Sequence, residues 1–254
     1  MFLFYTPNIA TEHFLSEEES AHCVRVLRLT TGDNILLTDG KGTTYEARII
    51  NPNPRRCEFD ILSSERQQKT WNYRLHIAIA PTKNADRLEW MVEKCTEIGI
   101  DEITPLLCRF SERKKVNLDR LQRVMVSAAK QSLKAYMPQL NPMTDYNTFI
   151  RQATEQQRFI AHCYKDDKTQ LANAVEISDF RFQNLEFRSE HGTFPNSILI
   201  LIGPEGDFSE QEVQDALSLG FQPVALGNER LRTETAGVVA CHTVAVKALI
   251  AGNQ

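Results

Sequence analysis

The chain has 254 residues, 42% of them apolar, and its 29 Lys and Arg against 33 Asp and Glu leave a formal net charge of −4. This is ordinary globular composition, with core enough for one large or two modest domains, and it argues against general adhesion to nucleic acid. No run of about 20 apolar residues reads as a membrane span, and the opening MFLFYTPNIATEHF lacks the basic segment of a secretory leader.

Residues 1–70 read as a small β-rich domain with one early helix. Phe2–Tyr5 is a short apolar strand, and Ser16 with Glu19 forms a capping box that opens a helix carrying His22, Val26 and Leu27. Turn signals at Gly32-Asp33 and at 39–42 separate the strands Ile35–Thr38 and Thr44–Ile50, and Cys57–Leu62 follows the Pro52/Pro54 loop. The pattern predicts a compact barrel. Arg25, Arg28, Arg55 and Arg56 are candidates to meet phosphate, against the plainer reading that they are solvated surface charges. The polar stretch Ser63–Thr70 reads as a linker.

Beyond residue 70 strands and helices alternate, which predicts an α/β domain over 71–254 with a parallel sheet. The strands are Leu75–Ala80, Ile103–Leu107, Phe159–Cys163, Ile198–Ile202 and Pro223–Leu226. The predicted helices are Asp86–Ile98, ended by Gly99, and Leu118–Lys134, with two more beginning at Ser209 and Thr233. Residues 165–196 are polar and irregular, with room for one short helix. Six cysteines, at 23, 57, 95, 108, 163 and 241, have no CxxC spacing, which predicts reduced thiols in a cytoplasmic chain. His162-Cys163 and Cys241-His242 are adjacent pairs, which rarely chelate one ion, so no metal site is predicted.

Charge is unevenly placed. From Arg109 to Lys134 there are eight Lys and Arg against two Asp and Glu, and from residue 135 onward nine against fifteen. A basic stripe on an otherwise acidic protein suggests one place where a polyanion docks. The alternative is an amphipathic helix whose charges only keep it soluble.

The most informative stretch is 197–236. The apolar strand Ile198–Ile202 runs into Gly203-Pro204-Glu205-Gly206, and Ser209 with Glu212 caps the helix that follows. A second strand leads into the loop 227–232 and a helix from Thr233. Two such loops leaving one sheet edge side by side mark a ligand site in α/β proteins. Neither loop is a GxGxxG fingerprint or a phosphate loop. Pro204 has no N–H, and Glu205 and Asp207 repel phosphate, so the loops suit a nucleoside with a cationic or zwitterionic part better than a polyphosphate.

IGPEGDFSEQEV followed by LGNERLRTETA resembles the paired signature of the RsmE family, SPOUT-superfamily methyltransferases that act on N3 of one uridine in 16S ribosomal RNA. The likeness extends through APTKNADRLEWMVEKCTEIGIDEITPLLCRFSERK and AAKQSLKAYMP, where Lys83, Glu97, Arg109, Ser111 and Gln131 stand at motif positions. HCVRVLRLTTGDNILLTDGKG is similar to the family's N-terminal PUA-like domain. The sequence departs from the family at Lys134, where Arg is usual, at Asp207, where the last glycine of GPEGG is usual, and at Glu229 and Arg230, where Arg-Ile is common.

The resemblance implies a PUA-like RNA-binding barrel over 1–70 and a SPOUT domain over 71–254, with a C-terminal trefoil knot and a homodimer. The implied cofactor is S-adenosylmethionine, bent into the knot and bound by Ile202, Gly203, Pro204, Glu205, Gly206, Leu226, Gly227, Leu231, Thr235 and Ala236. RNA contacts are expected from the four N-terminal arginines and from Lys83, Arg109, Arg113, Lys114, Lys130, Gln131 and Lys134. Uridine N3 carries a proton that must leave before methyl transfer. Arg232 is therefore expected to stabilise the resulting anion, and Glu234 to accept the proton or orient the arginine. Glu234 also suits the positive end of its helix. A ribose 2′-O-methyltransferase and a non-catalytic RNA-binding factor stay open as alternatives.

Overall fold

The computed structural model describes residues 2–69, 71, 73–165, 167–177 and 196–251. The chain divides into two compact units, Met1–Thr70 with Met125–Met137, and Trp71–Val124 with Pro138–Gln254. The expected boundary at 70 thus misplaces 125–137, which pack with the first unit. There Ala135 O accepts from Gly42 N and Thr38 Oγ1, Met137 N donates to Gly40 O, and Tyr136 OH donates to Gln67 O. Gly42 is required at that contact: a Cβ on it would lie 2.3 Å from the Tyr136 ring.

The first unit is a four-stranded sheet in the order Leu3–Tyr5, Asn34–Thr38, Thr43–Asn51, Glu58–Arg66. Its first pair is parallel and the others antiparallel, and Phe14 bridges to Glu58. Ile35, Leu37, Ala47, Ile49 and Phe59 alternate inward with period two and meet Phe4 and Leu15 in the core. The last strand continues to Arg66 and so absorbs half of the expected linker. Ser16 caps the helix Glu17–Ala21 as predicted, accepting from Glu19 N, and a π-helical turn His22–Val26 follows. The reciprocal half of the box is replaced: the Glu19 carboxylate accepts from Lys130 Nζ at 2.6 and 2.8 Å.

The second unit is built on a parallel sheet. Its strands run in the order Thr169–Gln170, Gln222–Ala225, Gln157–Ala161, Ser197–Ile202, Arg74–Ile79, Glu102–Leu107, with Gln139–Leu140 and Thr144–Asp145 both edging the last. Every residue of Ser197–Ile202 is buried, because parallel neighbours flank the strand and helices cover both faces. Its five apolar side chains contribute roughly 1.5–3 kcal/mol each in gross burial. Leu199 and Leu201 face a cluster with Tyr146 and Ile150 of the helix Tyr146–Gln152, Val213 and Ala216 of the helix Glu210–Ser218, and Phe208 from the loop before it.

The helices Ala85–Ile98 and Thr233–Ala251 pack together, and Thr233–Ala251 also packs against the Arg74–Ile79 strand. Gly237 permits this: a Cβ there would sit 3.0 Å from Met91 Cγ and 3.2 Å from Ile79 Cδ1. The Thr233–Ala251 helix is long and apolar enough by composition to cross a membrane, although Glu234, His242 and Lys247 interrupt it and it is no continuous apolar run. Its Gly237, Ala240, Cys241 and Val244 are buried, and it covers the sheet. The predicted second helix ends at Gln131, three residues early, and Leu133 takes φ 54°. Of 165–196, a four-residue helix Leu171–Ala174 is seen, and 178–195 lie outside the described residues.

Candidate functional site

The carboxyl ends of three neighbouring strands, Gln222–Ala225, Gln157–Ala161 and Ser197–Ile202, open onto one cleft of about 310 Å3. Its walls are Ala161 and Cys163 from one loop, residues 202–205 and Asp207 from the second, and Arg230–Thr233 with Ala236 from the third. The capping box predicted at Ser209 is present in full, with Glu212 Oε2 accepting from Ser209 N at 2.8 Å, and it ends the 203–208 loop sharply. Glu212 Oε1 accepts from Arg109 N at 2.8 Å as well, so one carboxylate fixes two loops. Thr233, at the start of the last helix, donates from Oγ1 to Gly203 O at 3.1 Å and ties the second signature loop to the first.

Asp207 has φ 67°, the left-handed region in which a glycine is most at ease. Its carboxylate offsets the strain: Oδ2 accepts from Cys163 N at 2.7 Å and Oδ1 from Phe208 N at 2.8 Å. Asp207 N donates back to Pro204 O and closes the turn. Burial and the Asp207 charge push the Cys163 thiol up, with Arg230 and Lys168 pulling the other way, so this thiol is held protonated.

Of the expected cofactor-binding residues, Ile202, Gly203, Pro204, Glu205, Leu231 and Ala236 line the cleft. Gly206, Leu226, Gly227 and Thr235 do not, and 227–230 are exposed. Ala161, Cys163, Asp207, Arg230 and Thr233 line it and were not among the candidates. Arg232 is exposed on the wall, whereas Glu234 is buried off it, 3.7 Å from Arg87 Nε. Among the described residues Glu234 Oε2 has no hydrogen-bond partner.

The basic candidates divide sharply. Arg25, Arg28, Arg55 and Arg56 are exposed on the first unit, Arg56 lying 4.1 Å above the Phe14 ring. Lys114 and Gln131 are exposed, Arg109 is exposed beside Phe110, and Lys134 is half-buried. Lys130 is only 18% exposed and is occupied by Glu19. Lys83 pairs with Glu112 at 2.9 Å, and Arg113 donates to two backbone carbonyls. Among the described residues no group of three His, Cys, Asp or Glu is placed to hold a metal.

The chain is similar to known proteins over nearly its whole length. Residues 69–245 match the family model of the RNA methyltransferase domain, and 15–62 match that of the RNA methyltransferase PUA domain. A probable rRNA-methyltransferase from Porphyromonas gingivalis is 38% identical, with a TM-score of 0.86 over 98% of this chain and 99% of that one. Ribosomal RNA small subunit methyltransferase E from Neisseria gonorrhoeae, solved with S-adenosyl methionine, is 26% identical, with a TM-score of 0.76 over 97% of each chain. A Synechocystis protein of the same name is 28% identical over 85% of this chain and 67% of its own. The architecture is the SPOUT-type α/β methyltransferase fold with an N-terminal PUA-like domain, and the chain belongs to the ribosomal RNA small subunit methyltransferase E family of RNA methyltransferases.

Proposed function

We propose that the chain methylates N3 of a uridine in 16S ribosomal RNA, using S-adenosylmethionine bound in the 202–207/230–236 cleft. The observation that carries this is the cleft itself: two signature loops joined by the Thr233–Gly203 hydrogen bond, with a permanent cation, Arg232, on the wall. The residues fit the cofactor. The volume suits a small ligand, Ile202, Pro204, Leu231 and Ala236 give apolar walls for a purine, and Glu205 offers a carboxylate to hydroxyls or an ammonium. When bound, S-adenosylmethionine supplies an electrophilic methyl group on a sulfonium.

The protein has to bring an unpaired base edge to that methyl group and manage one proton, because neutral uridine has no free in-plane lone pair at N3. Arg232 stabilises the anion spread over the two carbonyl oxygens that flank N3. Glu234, buried beside Arg87 and off the cleft wall, either accepts the proton or orients the arginine. The exposed arginines of the PUA-like unit, with Lys114 and Arg109, bind phosphate. The C-terminal chain is threaded as a trefoil knot, and a second copy covers the apolar face that the Thr233–Ala251 helix leaves exposed at Val246, Leu249 and Ile250. Both are expectations from the family.

Nucleoside mass spectrometry of small subunits lacking the methyl group, incubated with the protein and labelled S-adenosylmethionine, tests the reaction. Label in 3-methyluridine is expected. Label in a ribose 2′-position would replace the target, and cofactor binding without transfer would indicate a binding factor. Arg232→Ala should abolish transfer with cofactor affinity nearly unchanged. A Glu234→Gln variant that keeps more than a tenth of wild-type transfer assigns that carboxylate to its helix instead.

A further inference from the structure

The Arg113 side chain is aimed inward at main chain. Its Nε donates to Thr82 O at 3.2 Å and its Nη2 to Lys83 O at 2.8 Å, so the planar guanidinium spans two successive carbonyls of the 80–84 turn. Lys83 N, in the same turn, donates to Glu205 Oε1 at 2.8 Å. Glu205 is otherwise exposed at the cleft, and the hydrogen bond from Lys83 reaches it across 122 residues of sequence. The three segments involved leave neighbouring parallel strands, Glu102–Leu107, Arg74–Ile79 and Ser197–Ile202, at their carboxyl ends.

Each end of this chain of contacts is held. Ser111 Oγ accepts from Cys108 N and Ser111 N donates to Cys108 O, and Arg109 N is bound by Glu212, so the backbone that carries Arg113 is fixed at two points. Thr82 is fully buried and its Oγ1 donates to Asn84 O, while Asn84 caps the Ala85–Ile98 helix. The Lys83 side chain is turned to Glu112, leaving its N–H to serve Glu205. The segment after Glu102–Leu107 therefore acts as a strut under the cofactor loop.

We propose that Arg113 is a positioning residue for cofactor binding: through the Thr82 and Lys83 carbonyls it presents Lys83 N–H to Glu205 and holds that carboxylate in its binding pose. The proposal rests on the cleft being the cofactor site. It replaces a phosphate-binding role for Arg113, whose Nε and Nη2 are already committed to carbonyls. Without the strut, Glu205 has to be ordered when the cofactor binds, which costs on the order of three- to tenfold in affinity.

The test measures S-adenosylmethionine Kd by calorimetry for the wild type, Arg113→Ala, Glu205→Ala and the double variant, with RNA affinity followed across a salt series. Expected are Kd values raised three- to tenfold in each single variant, a double variant no worse than the weaker single, and an unchanged RNA salt slope. Independent, additive losses would overturn the proposal, as would an unchanged Kd for Arg113→Ala. So would a loss of RNA affinity with the salt slope reduced by about one, the mark of a phosphate contact. If Arg113→Ala does not fold, Arg113→Lys serves: an ammonium reaches one carbonyl and should give an intermediate Kd, and wild-type affinity in that variant counts against the fork. Hydrogen exchange of the wild type with the cofactor separates the two readings. Protection of 203–208 and 230–236 keeps the cleft whatever Arg113 does, and protection elsewhere removes both.

Discussion

Asp207 offers a sharp test of how the cofactor loop is built. A non-glycine residue in the left-handed region costs about 1–2 kcal/mol, and Asp207 sits there with φ 67°. Against this, its carboxylate accepts from Cys163 N, a charge-assisted hydrogen bond worth about 1.5–3 kcal/mol, to be taken at the low end because the residue is only half-buried. Asp207→Ala keeps the strain and loses the bond, so it should cost about 1.5–2 kcal/mol. Asp207→Gly loses the bond but sheds the strain, less the extra freedom a glycine gives the unfolded chain, and should come within about 1 kcal/mol of wild type. Asn keeps both a local acceptor and tolerance of the conformation and should lie nearest to Asp. Urea unfolding at pH 7 gives the order Asp, Asn, Gly, Ala from most to least stable. In an ordinary loop, alanine beats glycine by about 0.4–1 kcal/mol. An alanine variant at least as stable as the glycine variant would therefore refute the left-handed account.

Three further outcomes follow from named contacts. Lys130→Ala strands the Glu19 carboxylate, 11% exposed, and should lower stability by about 2–4 kcal/mol in urea unfolding, whereas Glu19→Gln with Lys130→Met should recover most of it; equal losses would show that the stranded carboxylate is not the cause. Thr233→Val removes the donor to Gly203 O and should cost about 1–3 kcal/mol, together with a weaker S-adenosylmethionine Kd; an unchanged Kd detaches that bond from the site. At Glu155, burial works to raise the carboxyl, but the hydrogen bond and charge of His76 at 2.8 Å outweigh it and hold the pKa below 4.5. A depressed carboxyl stabilises above its unfolded value and loses that contribution as pH falls through the folded one. Glu155→Gln should therefore flatten the decline in stability below about pH 4.5, and an acid limb identical to wild type would assign that decline to other carboxylates.

The sequence disclosed what depends on near neighbours. Five strands of the second unit, the Ser209–Glu212 box and the stop at Gly99 are local statements, and they lie within a residue or two of where they were expected. Helix Tyr146–Gln152 was passed over because YNTFIRQ spans two turns and carries one clear signal, the Asp145 cap. Sheet order was beyond reach, and with it one wall of the cleft. Only the placement of Gln157–Ala161 between Gln222–Ala225 and Ser197–Ile202 brings Ala161 and Cys163 to the site. Asp207 reads as a mere departure from a glycine until its φ and its bond to Cys163, 44 residues away, are seen together.

The basic stripe shows the same limit from the side of charge. Eight cations between Arg109 and Lys134 suggested one polyanion face. Yet Arg113 meets carbonyls about 30 residues back, Arg120 meets Glu89, and Lys130 meets Glu19, 111 residues away. Each side chain is an RNA contact by type and a brace by position. A formal charge count therefore sets an upper bound on a phosphate-binding surface. What remains among the described residues after internal partners are removed, Arg109, Lys114, Lys115 and Arg123 in the second unit and Arg25, Arg28 and Arg55 in the first, is where substitutions should change the salt dependence of RNA binding. Substituting the braces should change stability or cofactor affinity instead, and that contrast separates two roles that composition cannot tell apart.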